Sequence, residues 1–252
     1  MKAMSEALTL QVRAQTAGDA ALLAGWTNQL GQPVAAEPMP GDVALVLADR
    51  ADDRPLACLR LRWLLGLQLP RYSFHLGCIV HAAAELQLFS AQQTLLLGND
   101  HTGQSELLDL ACAPGLDDYA QRQALGRLVQ HAVARWTDER PATADRLVVE
   151  LAGVRDAQGR SPFWTALGRH FYAGDPAQAQ ARFGEAWCTH LAALLPRQPL
   201  YLSFLAEPAR AVLGRSGAAS MLAEQVLREC GLRFSRHVRI DDGGPVMVIS
   251  AA

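Results

Sequence analysis

Within the run Leu97-Gly98-Asn99-Asp100-His101-Thr102-Gly103-Gln104-Ser105-Glu106-Leu107 the chain sets an imidazole and two carboxylates among amides and hydroxyls. Each has a use in group-transfer chemistry. An imidazole such as His101 changes charge near neutral pH and can act as a general base. A carboxylate such as Glu106 can take a proton or hold a cationic group, and Asp100 offers the pair of oxygens that a guanidinium fork matches. The same residues have plain structural uses: Asp100 can close an Asx turn, Glu106 can brace the loop, and His101 can sit solvated. The run lies between two apolar, strand-like segments, and a polar loop feeding a core strand is a common way to aim side chains at a ligand.

Other chemistries find little footing. Five cysteines (Cys58, Cys78, Cys112, Cys188, Cys230) are scattered without a C-x-x-C pair, which argues against a disulfide framework and against a zinc site. Each sits in an apolar run and reads as a buried thiol. His81, followed by three alanines, reads as a packed histidine. There is no defensible Ser-His-Asp spacing, no G-x-G-x-x-G and no Walker motif. A net charge of -2 leaves no basic stripe for nucleic acid. Met1 to Ala7 lacks the apolar core of a signal peptide, and no run of about 18 apolar residues predicts a membrane span, so a reduced cytoplasm is the expected compartment.

The positioning elements follow from periodicity and punctuation. Thr9 to Arg13 alternates like a strand, and Gly18-Asp19 offers a cap for a helix over Ala20 to Leu30. Gln32 to Asp42, with three prolines, reads as a loop. Val43 to Ala48 and Leu56 to Arg62 read as an antiparallel hairpin, with further strands at Tyr72 to Val80, Thr94 to Leu97 and Glu106 to Cys112. Leu125, Leu128, Val129, Ala132 and Val133 give Asp118 to Trp136 a helical stripe. Leu147 to Leu151 is a buried strand, and Ser161-Pro162 caps and opens a helix that stops at Gly168. Ala177 to Leu195 reads as helix and Pro199 to Phe204 as extended. Met221 to Cys230 is a helix ended by Gly231. Leu232 to Ile240 and Val246 to Ser250 pair across Asp241-Asp242-Gly243-Gly244. This order predicts an α+β (mixed α/β) fold rather than plain βαβ alternation. With 252 residues, half of them hydrophobic, and no repeat or linker, residues 1–252 read as a single domain with a sub-division near 175.

Four blocks, in order along the chain, closely resemble one family, the bacterial arginine N-succinyltransferases. They are Leu76-Gly77-Cys78-Ile79-Val80-His81-Ala82 with Glu85-Leu86; Asn99 to Gly103 with Ser105-Glu106-Leu107; Gly153-Val154-Arg155-Asp156 with Ser161-Pro162-Phe163-Trp164 and Leu167-Gly168; and Asp242-Gly243-Gly244-Pro245. The resemblance implies a GCN5-related N-acyltransferase fold: a central, mostly antiparallel sheet flanked by helices, in which one strand splays from its neighbour. The helix after that strand takes the coenzyme A pyrophosphate on its N-terminal N–H groups, as general helix electrostatics favours. Here the strand is Glu106 to Cys112 and the helix Asp118 to Trp136.

By the same resemblance, succinyl-CoA enters as a co-substrate rather than a permanently bound cofactor, and L-arginine or a similar amine accepts the acyl group. Leu110 would offer its backbone to the acyl-CoA, and Gln121, Ala124 and Gly126 would stand where the fold's pyrophosphate pattern falls. Glu106, His101 and Asp100 are the candidate catalytic residues. Residues 1–175 would be the acyl-CoA-binding core, and 176–252 a helical segment plus hairpin. Charge balance and the lack of a long apolar run predict no nucleic-acid or membrane partner, and a homo- or hetero-oligomer with a paralogous subunit is allowed.

The chain also departs from the pattern. Its pyrophosphate segment reads Gln121-Arg122-Gln123-Ala124-Leu125-Gly126, with alanine where the pattern has glycine. Gly217 stands where the family carries its proton-donor histidine. Neither Trp164 nor Leu227, four residues before the helix-ending glycines, can give a proton. The family continues for several tens of residues past Gly-Gly-Pro, whereas this sequence reaches Ala252. A weakly active or non-catalytic paralogue, and an acyltransferase for another amine, are the alternatives these departures suggest.

Overall fold

The structure, a computed structural model, describes residues 10–35 and 37–251. The reading of Met1 to Ala7 lies outside them. Among the described residues ten strands form one sheet: β1 (Leu10–Ala14), β2 (Val43–Asp49), β3 (Pro55–Arg62), β4 (Ser73–Ala83), β5 (Leu88–Gly98), β6 (Ser105–Cys112), β7 (Arg146–Glu150), β8 (Leu200–Tyr201), β9 (Arg233–Arg239) and β10 (Pro245–Ser250). Their spatial order is β1-β2-β3-β6-β7-β10-β9-β4-β5-β8. Every pairing is antiparallel except that of β6 with β7. The helices are α1 (Ala17–Leu23), α2 (Asp118–Glu139), α3 (Pro162–Ala166), α4 (Pro176–Phe183), α5 (Trp187–Leu194), α6 (Glu207–Val212) and α7 (Met221–Glu229). This is the mixed α/β architecture that the element order predicts. No helix of the described residues is long and apolar enough to cross a membrane.

The stripe on α2 does what its spacing implies. Leu125, Leu128, Val129, Ala132 and Trp136 are buried against β3, β6 and β7, with Val226 and Leu227 of α7 closing the same core. Each such side chain stabilises the fold by roughly 1.5–3 kcal/mol relative to exposure. A second core joins Phe74, Leu95 and Val238 of the other half-sheet to Phe163, Trp187 and Leu191 from α3 and α5.

Three elements differ from the expectation for local reasons. The first helix starts earlier and ends sooner. Thr16 is its cap, Thr16 N–H donates to the Asp19 carboxylate at 2.7 Å, and Asp19 is therefore the third helical residue. The chain then turns through Trp26 to Val34, where Asn28 Oδ1 accepts from Leu30 N–H (2.9 Å) and Gln32 N–H (3.1 Å) in competition with a helix. The expected single helix over Ala177 to Leu195 is two, broken at Gly184, whose φ is 54°. The strands β4 and β5 run beyond the rest of the sheet as a two-stranded ribbon, which leaves Cys78 exposed rather than buried.

Candidate active site

The parallel register of β6 and β7 lasts two residues, Ser105 opposite Leu147 and Glu106 opposite Val148. Beyond it no ladder joins the two strands. On its other edge β6 bulges: Leu108 faces Arg60 and Ala111 faces Cys58, so Asp109 and Leu110 together face Leu59. Asp109 sits at φ 51°, and its carboxylate accepts from Arg60 Nε at 2.7 Å and from Asn28 Nδ2 at 2.9 Å. Those bonds hold a conformation that a non-glycine residue rarely adopts. The bulge turns Leu110 N–H into the gap, where it donates to Gln29 Oε1 at 2.9 Å, and Gln29 Nε2 donates to the Glu150 carbonyl at 3.3 Å. A single carboxamide therefore spans the parted strands.

A cleft of about 710 Å³ opens beside this gap, between the end of β6, the start of α2 and α7, lined by Gln29, Leu110, Tyr119, Gln121, Arg122 and Gln225 among others. Asp117 caps α2, accepting from Ala120 N–H at 2.7 Å, and Gln121 N–H donates to the Asp117 carbonyl at 2.9 Å. The N–H groups of Asp118 and Tyr119, also on the cleft wall, have no partner within the helix. Of the four residues expected at a cofactor, Leu110 and Gln121 line the cleft. Gln121 Nε2 donates to the Leu116 carbonyl at 2.7 Å and so fixes the loop leading into α2. Ala124 is 3% exposed and packs in the core. Gly126 lies outside the lining, next to α7, where the Cys230 thiol points at its carbonyl. Because α2 is continuous from Asp118, the N–H groups of Ala124 and Gly126 serve the helix ladder, and the open donors stand a turn earlier.

A second cavity, of about 620 Å³, adjoins the first, with Ala218 and Ala219 on both walls. Arg239, Asp241 and Asp242 line it, as does Gly217. Arg239 is buried and makes three ion pairs, with Glu150 (2.8 Å), Asp241 (2.7 Å) and Asp242 (3.2 Å). Arg71 adds contacts to Glu150 (3.1 Å) and Glu106 (3.3 Å). Arg155 comes within 3.9 Å of Asp242, so three guanidinium groups face these four buried carboxylates. Burial pushes Asp242 above the usual carboxylate range, with the neighbouring Asp241 charge adding to it. Asp241 Oδ1 is buried and makes no hydrogen bond among the described residues. On the cavity wall itself Arg155 and Arg239 stand against Asp241 and Asp242, two charges of each sign.

Glu106, His101 and Asp100 lie at the opposite end of β6 from Leu110 and line neither cavity. Glu106 is 1% exposed, and burial pushes its carboxyl up to about 7 against the pull of Arg71. His101 is buried with neither ring nitrogen hydrogen-bonded among the described residues; burial pushes it down to about 4, so it is neutral at physiological pH. Its ring packs 4.4 Å from that of His237, and His237 Nε2 pairs with Asp100 Oδ2 at 2.9 Å. Asp100 therefore meets an imidazole, not a guanidinium or an Asx turn.

The raised Glu106 carboxyl has a signed consequence. The folded form keeps a proton that the unfolded chain, with its ordinary value of 4.5, loses earlier. Its stabilising contribution is complete below about 4.5 and is lost as pH rises through about 7. Glu106→Gln removes that titration, so urea unfolding at pH 5 and pH 8 should show the variant gaining on the parent by up to about 3 kcal/mol. Parallel stability curves for the two proteins would contradict this reading of Glu106.

The family described as "Arginine N-succinyltransferase beta subunit" matches residues 27–252. The chain belongs to this family. Among curated members, the arginine N-succinyltransferase of Yersinia pestis (strain Pestoides F) is 36% identical over 202 residues, which cover 80% of this chain and 57% of that protein. The arginine N-succinyltransferase of Salmonella paratyphi B is 36% identical over 187 residues, covering 73% and 52%. The chain thus spans little more than half the length of the curated relatives it matches. Among solved structures, arginine/ornithine succinyltransferase subunit AI from Pseudomonas aeruginosa superposes with a TM-score of 0.73 at 26% identity, over 96% of this chain and 77% of that one.

Membership agrees with the four sequence blocks but leaves the most informative residues unnamed. Gln29, Asp109, Arg239 and Asp241 shape the gap and the second cavity, and none is among the expected site residues. Asp109 carried a readable signal, a carboxylate inside an apolar core strand. Gln29 carried none, because it falls within a segment whose pattern is helical.

Proposed function

We propose that this chain transfers a succinyl group from succinyl-CoA to the α-amine of L-arginine. The observation that carries the reading is the parting of β6 from β7 with Leu110 N–H turned into the gap, beside the first turn of α2. The acyl-CoA lies along the larger cleft, its pyrophosphate at the N–H groups of Asp118 and Tyr119 and beside Arg122, whose guanidinium it would share with Glu229, its thioester in the gap. The amine first gives one proton to solvent; its neutral nitrogen then bonds to the thioester carbon, the carbon–sulfur bond breaks, and a second proton from that nitrogen ends on the departing sulfur, which leaves as a thiol. Leu110 N–H is placed to donate to the carbonyl oxygen as it gains charge, and a donor of that kind is worth about 10²–10³ in rate.

The second cavity supplies the acceptor site. Asp241 and Asp242 on its wall can accept from a guanidinium, and Arg155 and Arg239 beside them can pair with the α-carboxylate of the same amino acid. Glu106 acts at one remove, through Arg71 on Glu150, as a positioning residue. His101 and Asp100 hold His237 in the adjoining layer.

Thiol release from succinyl-CoA, measured with and without L-arginine and with acetyl-CoA as comparator, tests the assignment. Arginine-dependent release, faster with succinyl-CoA, is expected. L-ornithine is the natural second acceptor, because the Pseudomonas neighbour is an arginine/ornithine succinyltransferase subunit. A folded protein that releases no thiol with either amine would refute the assignment.

A further inference from the structure

The turn Thr27 to Pro33 separates the two cavities: Thr27, Asn28 and Gln29 wall the larger, Leu30 to Pro33 the smaller. It is firmly built. Thr27 bridges Pro33, Asn28 N–H donates to the Gln32 carbonyl at 2.8 Å, and the Gln29 carbonyl accepts from the buried Ser220 hydroxyl. From this fixed base the Gln29 side chain, in a residue only 3% exposed, reaches into the gap and makes the two bonds already described. Its oxygen takes the donor of β6 and its nitrogen serves the acceptor of β7, which is the pairing an amide of a bound pantetheine arm or a thioester carbonyl would compete for.

We propose that Gln29 is a built-in plug. Its carboxamide occupies the acyl-CoA notch in the free protein and must swing out before acyl-CoA can bind. The inference rests on the acyl-CoA reading above. The physical case is one of pairing. A strand edge turned into a gap leaves an N–H and a C=O that are costly to bury unbonded, and the carboxamide satisfies both while the site is empty. Because Gln29 is neutral and its bonds are not charge-assisted, displacing it is a modest cost. Because its main chain is pinned at Ser220, only side-chain rotation is required. Once the side chain has left, the gap opens between Leu110 on the wall of the larger cavity and Ala152 on the wall of the smaller. That is where an amine and a thioester would have to meet.

A plug lowers apparent affinity by the fraction of time it is out. Gln29→Ala removes it, and Gln29→Asn, one methylene shorter, cannot span the gap. Isothermal titration of coenzyme A into the three proteins should give binding about tenfold tighter for both variants than for the parent. Amide exchange at Leu110 should be slow in the free parent, fast in the free variants and slow again in all three with coenzyme A. A residue that merely braces the fold would lower the unfolding midpoint without tightening binding, so equal or weaker binding by the folded variants overturns the plug. Should Gln29→Ala fail to fold, Gln29→Asn decides alone. Absence of binding in all three proteins would remove the acyl-CoA reading and the plug together, an outcome distinct from unchanged affinity.

Discussion

Arg239→Met should unfold more readily than the parent by about 3–5 kcal/mol at pH 8. The guanidinium is the shared partner of Glu150, Asp241 and Asp242, all buried. A methionine keeps much of the stem volume but leaves three carboxylates facing one another, with only Arg71 bonded to Glu150 and the half-exposed Arg155 3.9 Å from Asp242 to offset them. The loss should shrink as pH falls, because carboxyls that gain protons no longer repel. The sign is fixed by the raised carboxyl of Asp242, which binds its proton more readily in the folded chain. Urea unfolding of parent and variant at pH 5 and pH 8 measures both the loss and its slope. A variant within 1 kcal/mol of the parent at pH 8 would mean that the carboxylates already carry protons, and the charge argument for the second cavity would fail with it.

Gly217→His, which would put an imidazole where the family resemblance expects a proton donor, should restore nothing. The backbone at Gly217 has an ordinary φ of -75°, so the obstacle is steric. A Cβ there would overlap the Gly153 carbonyl oxygen. Gly153 cannot retreat, because a Cβ on it would itself meet Gly244 N at 2.8 Å, which shows how closely it lies on the Asp242–Gly244 turn. The contact is fastened by Gly217 N–H donating to the Ala152 carbonyl at 2.8 Å and by the bridge from Gly153 to Ser216. Overpacking of this kind costs about 1–3 kcal/mol, and here it pushes on the wall of the proposed acceptor cavity. Both Gly217→His and Gly217→Ala should therefore lose stability and thiol-release activity to a similar degree. A histidine variant as stable as the parent and at least tenfold faster would show instead that the position is an acid site left empty.

Much of the architecture is legible from periodicity. The hairpin of β2 and β3, the strand β6, the Ser161 cap of α3 and the late hairpin lie within a residue or two of where the pattern puts them, and α2 starts as expected and runs three residues further. What escapes is what tertiary contact decides. The helix expected through Leu30 gives way to a turn because Asn28 finds Asp109 some eighty positions away, a contact invisible to local pattern. The α6 helix, six residues opened by Glu207-Pro208, is too short to show a stripe. The same limit applies to chemistry. A histidine near neutral pH is what the sequence predicts at His101, and burial, helped by the neighbouring His237, removes that property. The buried ion-pair network beside the second cavity is assembled from residues at 71, 106, 150, 239, 241 and 242, which no local window brings together.

The sheet order places β9 and β10, the latest-made of the described strands, between β7 and β4 in the middle of the molecule. The two flanks of the sheet therefore have no strand-to-strand contact with each other until those residues emerge from the ribosome. Until then each flank presents a raw edge, Leu147 to Glu150 on one side and Ser73 to His75 on the other. Such edges invite pairing with other chains, and the long-range closure they await is slow. The protein must therefore complete its fold after most of it has been synthesised, and fragments lacking residues 233–250 should be collected in aggregates rather than as half-sized folded units.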